Sequence, residues 1–305
     1  MLRTVRNYLV LGAVVAATVV GTPRPADAIA HGERPATGKY QFSTKLTMVG
    51  IPTGDGGSRD SWCSGSLIAP RWVITAGHCF RDAGGQHVSR TVARRTTATV
   101  GSRTVEVVAA YQAPDHDVAL AELGSPITGV KPIRIGTAPP EVGDRLRLTG
   151  FGGLTGDESA PSPGLRTGVF EVDQVRETTL DVSGARPARD TSACPHDSGG
   201  PYFREGKDGS ATLVAVVSTG PLCPHAGADF AARTDQLADW ISATMAEPPS
   251  GTSWWLAGSL GGGVLGLVVL AFAVLRRNRR RGPRGGAHLP PAAGRRRDRE
   301  LAARF

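Results

Sequence analysis

Between Ile29 and about Ala232 no segment sustains a helical period. Short β-prone runs instead alternate with turn residues, as in Trp72–Thr75, Arg103–Ala110, Val118–Ala121, Arg145–Thr149 and Thr212–Ser218. The 40 glycines and 22 prolines of this 305-residue chain suit many tight turns and few helices. Such a pattern reads as antiparallel barrels or sandwiches, with enough chain for a sizeable core. The exception is Thr234–Met245, where Leu237, Trp240, Ile241 and Thr244 form a helical stripe. No repeat of solenoid period is present.

The two ends have a different character. Residues 1–28 read as a signal peptide: Arg3 and Arg6 precede an apolar run, and Ala26-Asp27-Ala28 forms an A-x-A cleavage site. The run Tyr8–Val20 is 13 residues, short of the roughly 20 that a spanning helix needs. Residues 248–253 read as a short linker carrying Pro248, Pro249 and Gly251. Trp254–Leu275 holds 22 residues without a charge, opens on two tryptophans and stops at an arginine block. It reads as a single transmembrane helix, with the basic tail 276–305 cytoplasmic and residues 29–247 outside. Gly258, Gly262 and Gly266 recur every fourth residue, a spacing expected to allow weak self-association through that helix. The tail's arginine, glycine and proline content reads as disordered.

The formal charge of +8 is concentrated at the ends. The tail contributes +9 and residues 1–28 contribute +2, so residues 29–275 carry −3. A mildly acidic folded part argues against a nucleic-acid partner. Only four lysines against abundant Ala, Arg and Gly point to a high-GC bacterial source. All four cysteines, Cys63, Cys79, Cys194 and Cys223, lie in the exported part, which suggests two disulfides; the residues alone allow three pairings. Cys-x-x-Cys and His-x-x-x-His spacings are missing, so no metal site is expected.

Three local blocks carry chemistry. Val73–Cys79 reads Val-Ile-Thr-Ala-Gly-His-Cys, Asp117–Leu120 reads Asp-Val-Ala-Leu, and Ala193–Pro201 reads Ala-Cys-Pro-His-Asp-Ser-Gly-Gly-Pro. A serine hydroxyl is a weak nucleophile at neutral pH. It needs an imidazole to take its proton and a carboxylate to orient that imidazole. The chain order His…Asp…Ser, in these frames, resembles the trypsin/chymotrypsin-like serine proteases, in a bacterial secreted form with a C-terminal membrane anchor. The resemblance covers about Ile29–Ala246. It implies an all-β fold of two six-stranded antiparallel β-barrels with a C-terminal helix, here followed by a transmembrane helix. The active site would lie between the barrels.

By that likeness His78 is the general base, Asp117 its orienter and Ser198 the nucleophile. Asp115 competes for the orienting role, but it follows Pro114 as a turn residue, whereas Asp117 leads into an apolar strand. The likeness pairs Cys63 with Cys79 and Cys194 with Cys223. Closing the first loop contributes ~3 kcal/mol in the chain-entropy model. Asp197 is expected to pair with the α-ammonium of a new N-terminus. Cleavage after Ala28 exposes Ile29, so export itself would activate the enzyme. Ser192, Ser218, Thr219 and Gly220 are the expected substrate-binding residues. Ser192 stands where trypsin-like members carry an acid, and Asp229 is a candidate for the rear of the same pocket.

One position departs from the family. His196 replaces the glycine whose amide, with that of Ser198, forms the oxyanion hole. A histidine can adopt the left-handed backbone this needs, at a cost of roughly 1 kcal/mol. Losing the donor would cost roughly 10²–10³ in rate. The expected function is therefore a membrane-anchored extracytoplasmic serine endopeptidase acting on protein or peptide substrates, without metal or organic cofactor. The alternative is a catalytically silent protease-like module that binds peptides or proteins at the cell surface.

Overall fold

The computed structural model describes residues 29–82, 84–86, 90–153 and 164–246. The expected signal peptide 1–28, the expected linker 248–253, the candidate transmembrane segment 254–275 and the tail 276–305 lie outside the described residues. No described helix is long and apolar enough to cross a membrane.

Six strands close the first barrel: β1 (Ser43–Pro52), β2 (Ser58–Ala69), β3 (Trp72–Thr75), β4 (Arg95–Val100), β5 (Arg103–Gln112) and β6 (Ala119–Leu123), in spatial order β1-β2-β3-β6-β5-β4. The strands follow the chemistry of their residues. In β4 the burial alternates, with Thr96, Ala98 and Val100 inward, which is the two-residue period of a strand with one wet face. In β6 all five residues are buried, as befits Ala-Leu-Ala-Glu-Leu lying between β3 and β5.

The second barrel holds β8 (Arg145–Gly150), β9 (Arg166–Val175), β10 (Thr179–Arg186), β11 (Pro201–Glu205), β12 (Ala211–Thr219) and β13 (Ala228–Arg233). Their order is β11-β8-β9-β10-β13-β12, closed by pairing of β11 with β12. A two-residue strand, β7 (Arg134–Ile135), adds a parallel rung to β12 at Thr212 and Leu213. It lies on the connection between the barrels, and two residues are too few to show a period in sequence.

The helix α1 (Ala238–Ala246) starts four residues later than the stripe suggested. Thr234 still donates its amide to Val214 O of β12 at 3.0 Å. The Arg233 guanidinium grips Asp235 through two bonds of 3.0 and 2.7 Å, holding a turn where a helix would begin. Leu237, Ile241 and Thr244 remain buried as the stripe requires.

The barrels meet on an apolar seam. Phe203 of β11 packs edge-on against Tyr40 and Phe42, with ring centroids 5.3 and 5.4 Å apart. Ser43 and Thr149 share a buried hydroxyl–hydroxyl bond of 2.8 Å across it. A buried phenylalanine contributes on the order of 2–3 kcal/mol, so the seam fixes one barrel's loops against the other's.

Candidate active site

Strand register brings His78 and Asp117 together. Thr75, the last residue of β3, lies opposite Ala119, the first of β6. The chain leaving β3 and the chain arriving at β6 therefore emerge at the same end of the barrel. His78 sits there in a 3-10 turn, Gly77–Phe80, pinned by the Cys63–Cys79 disulfide. Its Nδ1 is 2.7 Å from Asp117 Oδ2, and its backbone N–H donates to Asp117 Oδ1, also at 2.7 Å. The Ser218 hydroxyl adds a third bond to Oδ2 at 2.6 Å. The carboxylate can only accept, so Nδ1 carries a proton, and in the neutral imidazole Nε2 keeps its lone pair. Burial alone would raise the Asp117 carboxyl. The imidazole, the hydroxyl and the amide outweigh it and hold the group well below the usual carboxylate range. Asp115 lies in the adjoining turn with φ of 57°.

Ser198 comes from the second barrel, just before β11. Gly199 N donates to Val217 O at 2.8 Å, Gly200 N to Asp197 O at 2.8 Å, and Asp197 N to Cys194 O at 3.0 Å. This folds residues 194–200 into a tight loop, tied across the barrels by Ser64 N donating to Ser198 O at 2.9 Å. Glycine is required at 199: φ is +80°, and a Cβ would stand 2.0 Å from Thr75 Oγ1. His78 and Ser198 line the same cleft.

His196 adopts φ of 75°. Its ring stacks on Trp62 with centroids 3.6 Å apart and planes 19° from parallel. Its Nδ1–H donates to Trp62 O at 2.8 Å, and its carbonyl accepts from Ser64 Oγ at 3.1 Å. An aromatic stack contributes ~0.5–1.5 kcal/mol, about the cost of the left-handed backbone. Trp62 is itself held by its indole N–H donating to Phe151 O at 2.9 Å. Nothing in the sequence links positions 134 residues apart, so this compensation was invisible there.

Asp197 is fully buried. It accepts from Ile29 N at 3.0 Å, Cys194 N at 3.0 Å and Gly152 N at 2.8 Å. Burial still pushes its carboxyl up to about 6, helped by the nearby Asp229 charge and only partly countered by the three amides. Ile29 is itself wholly buried, and the next residue, Ala30, bridges to Ser192.

A second disulfide, Cys194–Cys223, joins the two walls of the cleft beside Ser198. Thr219, Gly220 and Asp229 line that cleft. Ser192 is buried, and its Oγ accepts from His225 N at 3.2 Å. The pairing of all four cysteines is the one that the family likeness implied.

Residues 27–241 match the family described as Trypsin. The chain belongs to the trypsin family. It carries a trypsin-like serine protease domain, a hydrolase of the serine endopeptidase class. Among its relatives, Trypsin 5G1 of Aedes aegypti is 30% identical over 204 residues, which cover 59% of this chain and 74% of the mosquito protein. Serine protease 56 of Mus musculus is 25% identical over 257 residues, 76% of this chain and 41% of the mouse protein. Transmembrane protease serine 9 of Rattus norvegicus is 28% identical over 224 residues, 65% of this chain and 21% of the rat protein. The chain thus spans less than half of the mouse and rat proteins. All three relatives are animal proteins and lend no support to the bacterial source suggested by composition.

Within this trypsin-family domain, sequence reasoning had placed Ser218 only beside substrate backbone. Its hydroxyl is spent on Asp117. His225 and Trp62 were not singled out at all, and no local motif marks the role of either.

Proposed function

We propose that this chain is a secreted-type, membrane-anchored serine endopeptidase. Its catalytic domain faces outside the cell and its arginine-rich tail faces the cytoplasm. The observation that carries the catalytic part is the bond from His78 Nδ1 to Asp117, with His78 and Ser198 lining one cleft. Ser198 Oγ attacks the scissile carbonyl and His78 Nε2 takes its proton. Asp117 holds the imidazole in that tautomer and stabilises the imidazolium that forms. The His196 and Ser198 amides stabilise the tetrahedral oxyanion. His78 returns the proton to the leaving amine, and water then hydrolyses the acyl-enzyme by the same route. Residues 218–220 align the substrate backbone.

Export supplies the activation step in this reading. Ile29 N already lies 3.0 Å from Asp197 Oδ2, and the β-branched Ile29 sits at φ of 57°. That angle is strained while a residue precedes Ile29 and unconstrained once it is the first residue. Cleavage after Ala28 turns the peptide N–H into an ammonium that neutralises the buried carboxylate and sets the loop bearing His196. The anchor reading draws on residues 254–275, and one relative is named as a transmembrane protease. The bacterial assignment draws on composition alone.

A fluorophosphonate tests the catalytic reading. It should label wild type, and Ser198→Ala should abolish labelling. His78→Ala should lose most of it. Equal labelling of wild type and Ser198→Ala would refute the assignment, and an unlabelled but peptide-binding wild type would identify a silent module. Protease added to intact cells should reach residues 29–247 and spare the tail.

A further inference from the structure

The cleft has a second half that no step of the mechanism uses. Residues 218–220 lie to one side of His78 and Ser198, where the acyl part of the substrate is aligned in the proposed reaction. To the other side, Trp62, His196 and Arg59 join His78 and Ser198 around a cavity of about 330 Å³. An adjoining cavity of about 410 Å³ shares Arg59 and His78 and adds Arg81. A substrate aligned at 218–220 crosses this second half with the residues that follow its scissile bond. An extended chain advances roughly 3.3 Å per residue, so a cavity touching both Ser198 and Arg59 spans the first two or three of them.

A β-bulge places Arg59 there. Met48 of β1 pairs with Ser61 of β2, but the following pair is Ile51 with Arg59. Val49 and Gly50 thus stand against Asp60 alone, and Gly50 takes φ of 71°. The Asp60 carboxylate holds the bulge by accepting from Gly50 N at 2.8 Å. Arg59 and Ser61, on either side of it, both line the cleft.

Arg59 and Arg81 are exposed, and among the described residues neither guanidinium makes a hydrogen bond or an ion pair. The carboxylates of the same loops are engaged elsewhere. Asp82, the one acid lining either cavity, accepts from Gly84 N and Gln86 N at 2.9 Å each. Asp55 accepts from Thr53 Oγ1 and Gly57 N within its own turn. A single exposed arginine is an ordinary solvated side chain. Two on one wall of a cleft, without partners, leave that wall positive and attract the opposite charge. The stack of His196 on Trp62 adds an aromatic surface to the same cavity, and Lys45 Nζ lies 5.2 Å from the Trp62 ring centre.

We propose that Arg59 and Arg81 make this half of the cleft a carboxylate subsite, selecting substrates with an acidic group close behind the scissile bond. This rests on the proposed peptidase reading for which end of the substrate lies here, and on the geometry for the sign of the charge. An acidic side chain and a free C-terminal carboxylate share the chemistry.

The test gives the exported full-length protein a library of peptides from denatured protein and takes a cleaved sequence from it. Versions of that sequence ending two residues after the scissile bond then differ only in the last residue: Asp amide, Ala amide, Lys amide and Ala with a free carboxyl end. At low ionic strength the Asp amide should exceed the Ala amide in kcat/KM by about tenfold, with the Lys amide poorest. A matching gain for the free-acid peptide would show that a chain end also satisfies the subsite; no gain would confine it to acidic side chains. The margin should shrink several-fold on raising salt from about 0.05 to 0.5 M. Joint Arg59→Ala and Arg81→Ala should remove it, and joint Arg59→Glu and Arg81→Glu should turn it toward Lys. Both side chains are exposed, so thermal unfolding should barely move. Equal kcat/KM for all four peptides, or a margin that survives charge reversal, overturns the proposal and leaves the peptidase reading intact. A protein that cuts nothing in the library and takes no fluorophosphonate overturns the peptidase reading. The subsite then stands if that protein retains acidic library peptides and the charge-reversed variant does not, and falls if neither retains them.

Discussion

Asp117 and Asp197 come from different barrels, and each accepts three hydrogen bonds. Their carboxyls nevertheless move in opposite directions: Asp117 is held down and Asp197 is pushed up to about 6. The number of donors does not decide the outcome. Asp117 keeps 20% of its side chain exposed and faces an imidazole that can become a cation. Asp197 has no exposure, three neutral amides and a second carboxylate nearby. Amide dipoles alone do not compensate full burial of a charge. The first site is complete as it stands. The second lacks a cation, and the proposed cleavage before Ile29 would supply one.

The largest effect should come from the completed site. Asp117→Asn removes the acceptor that fixes the His78 tautomer, and kcat should fall by about 10⁴ in steady-state peptide assays. A loss of only a few-fold would mean that the imidazole is oriented by something else. Asp197→Asn in the form beginning at Ile29 should cost less, about 10²–10³ in kcat, as expected for one lost oxyanion donor.

A stability measurement sharpens the contrast. In the intact chain the folded Asp197 carboxyl lies above its unfolded value of 3.8. Stability is then full below about pH 4 and falls by roughly 3 kcal/mol as pH rises through about 6. Asp229 shifts in the same direction and adds to the fall. Urea midpoints between pH 3.5 and 7 should show the decline in the intact chain. The form beginning at Ile29 should show a smaller one, because its ammonium pairs with Asp197. Equal slopes for the two forms would break the comparison.

The smallest effect concerns His196. His196→Ala keeps the left-handed backbone and loses the Trp62 stack, so it should destabilise by about 1 kcal/mol. His196→Gly loses the stack but relieves the backbone, and its melting temperature should stay closer to wild type. A larger loss for glycine than for alanine would show that the stack does not offset strain.

The approach of His78 to Asp117 was legible because each sits in a local frame of several residues that the family likeness covers; the β-prone runs alone left barrels or sandwiches open, and the two barrels came from that likeness. What the chain hid was contact at long separation. Ser218 bonding Asp117 and His196 holding Trp62, across 101 and 134 residues, each depend on where segments from different strands land. The helix start was misplaced because the Arg233–Asp235 grip is a side-chain event that an apolar stripe cannot register.

The central claim is that Asp197 awaits the charge of a freed Ile29, and one added residue tests it. Peptide hydrolysis should be compared between the form beginning at Ile29 and the same form with a single alanine before it. The extended form should keep its thermal unfolding transition while kcat falls by about 10²–10³, since the ammonium no longer reaches the buried carboxylate. Undiminished kcat with the added alanine would contradict the account.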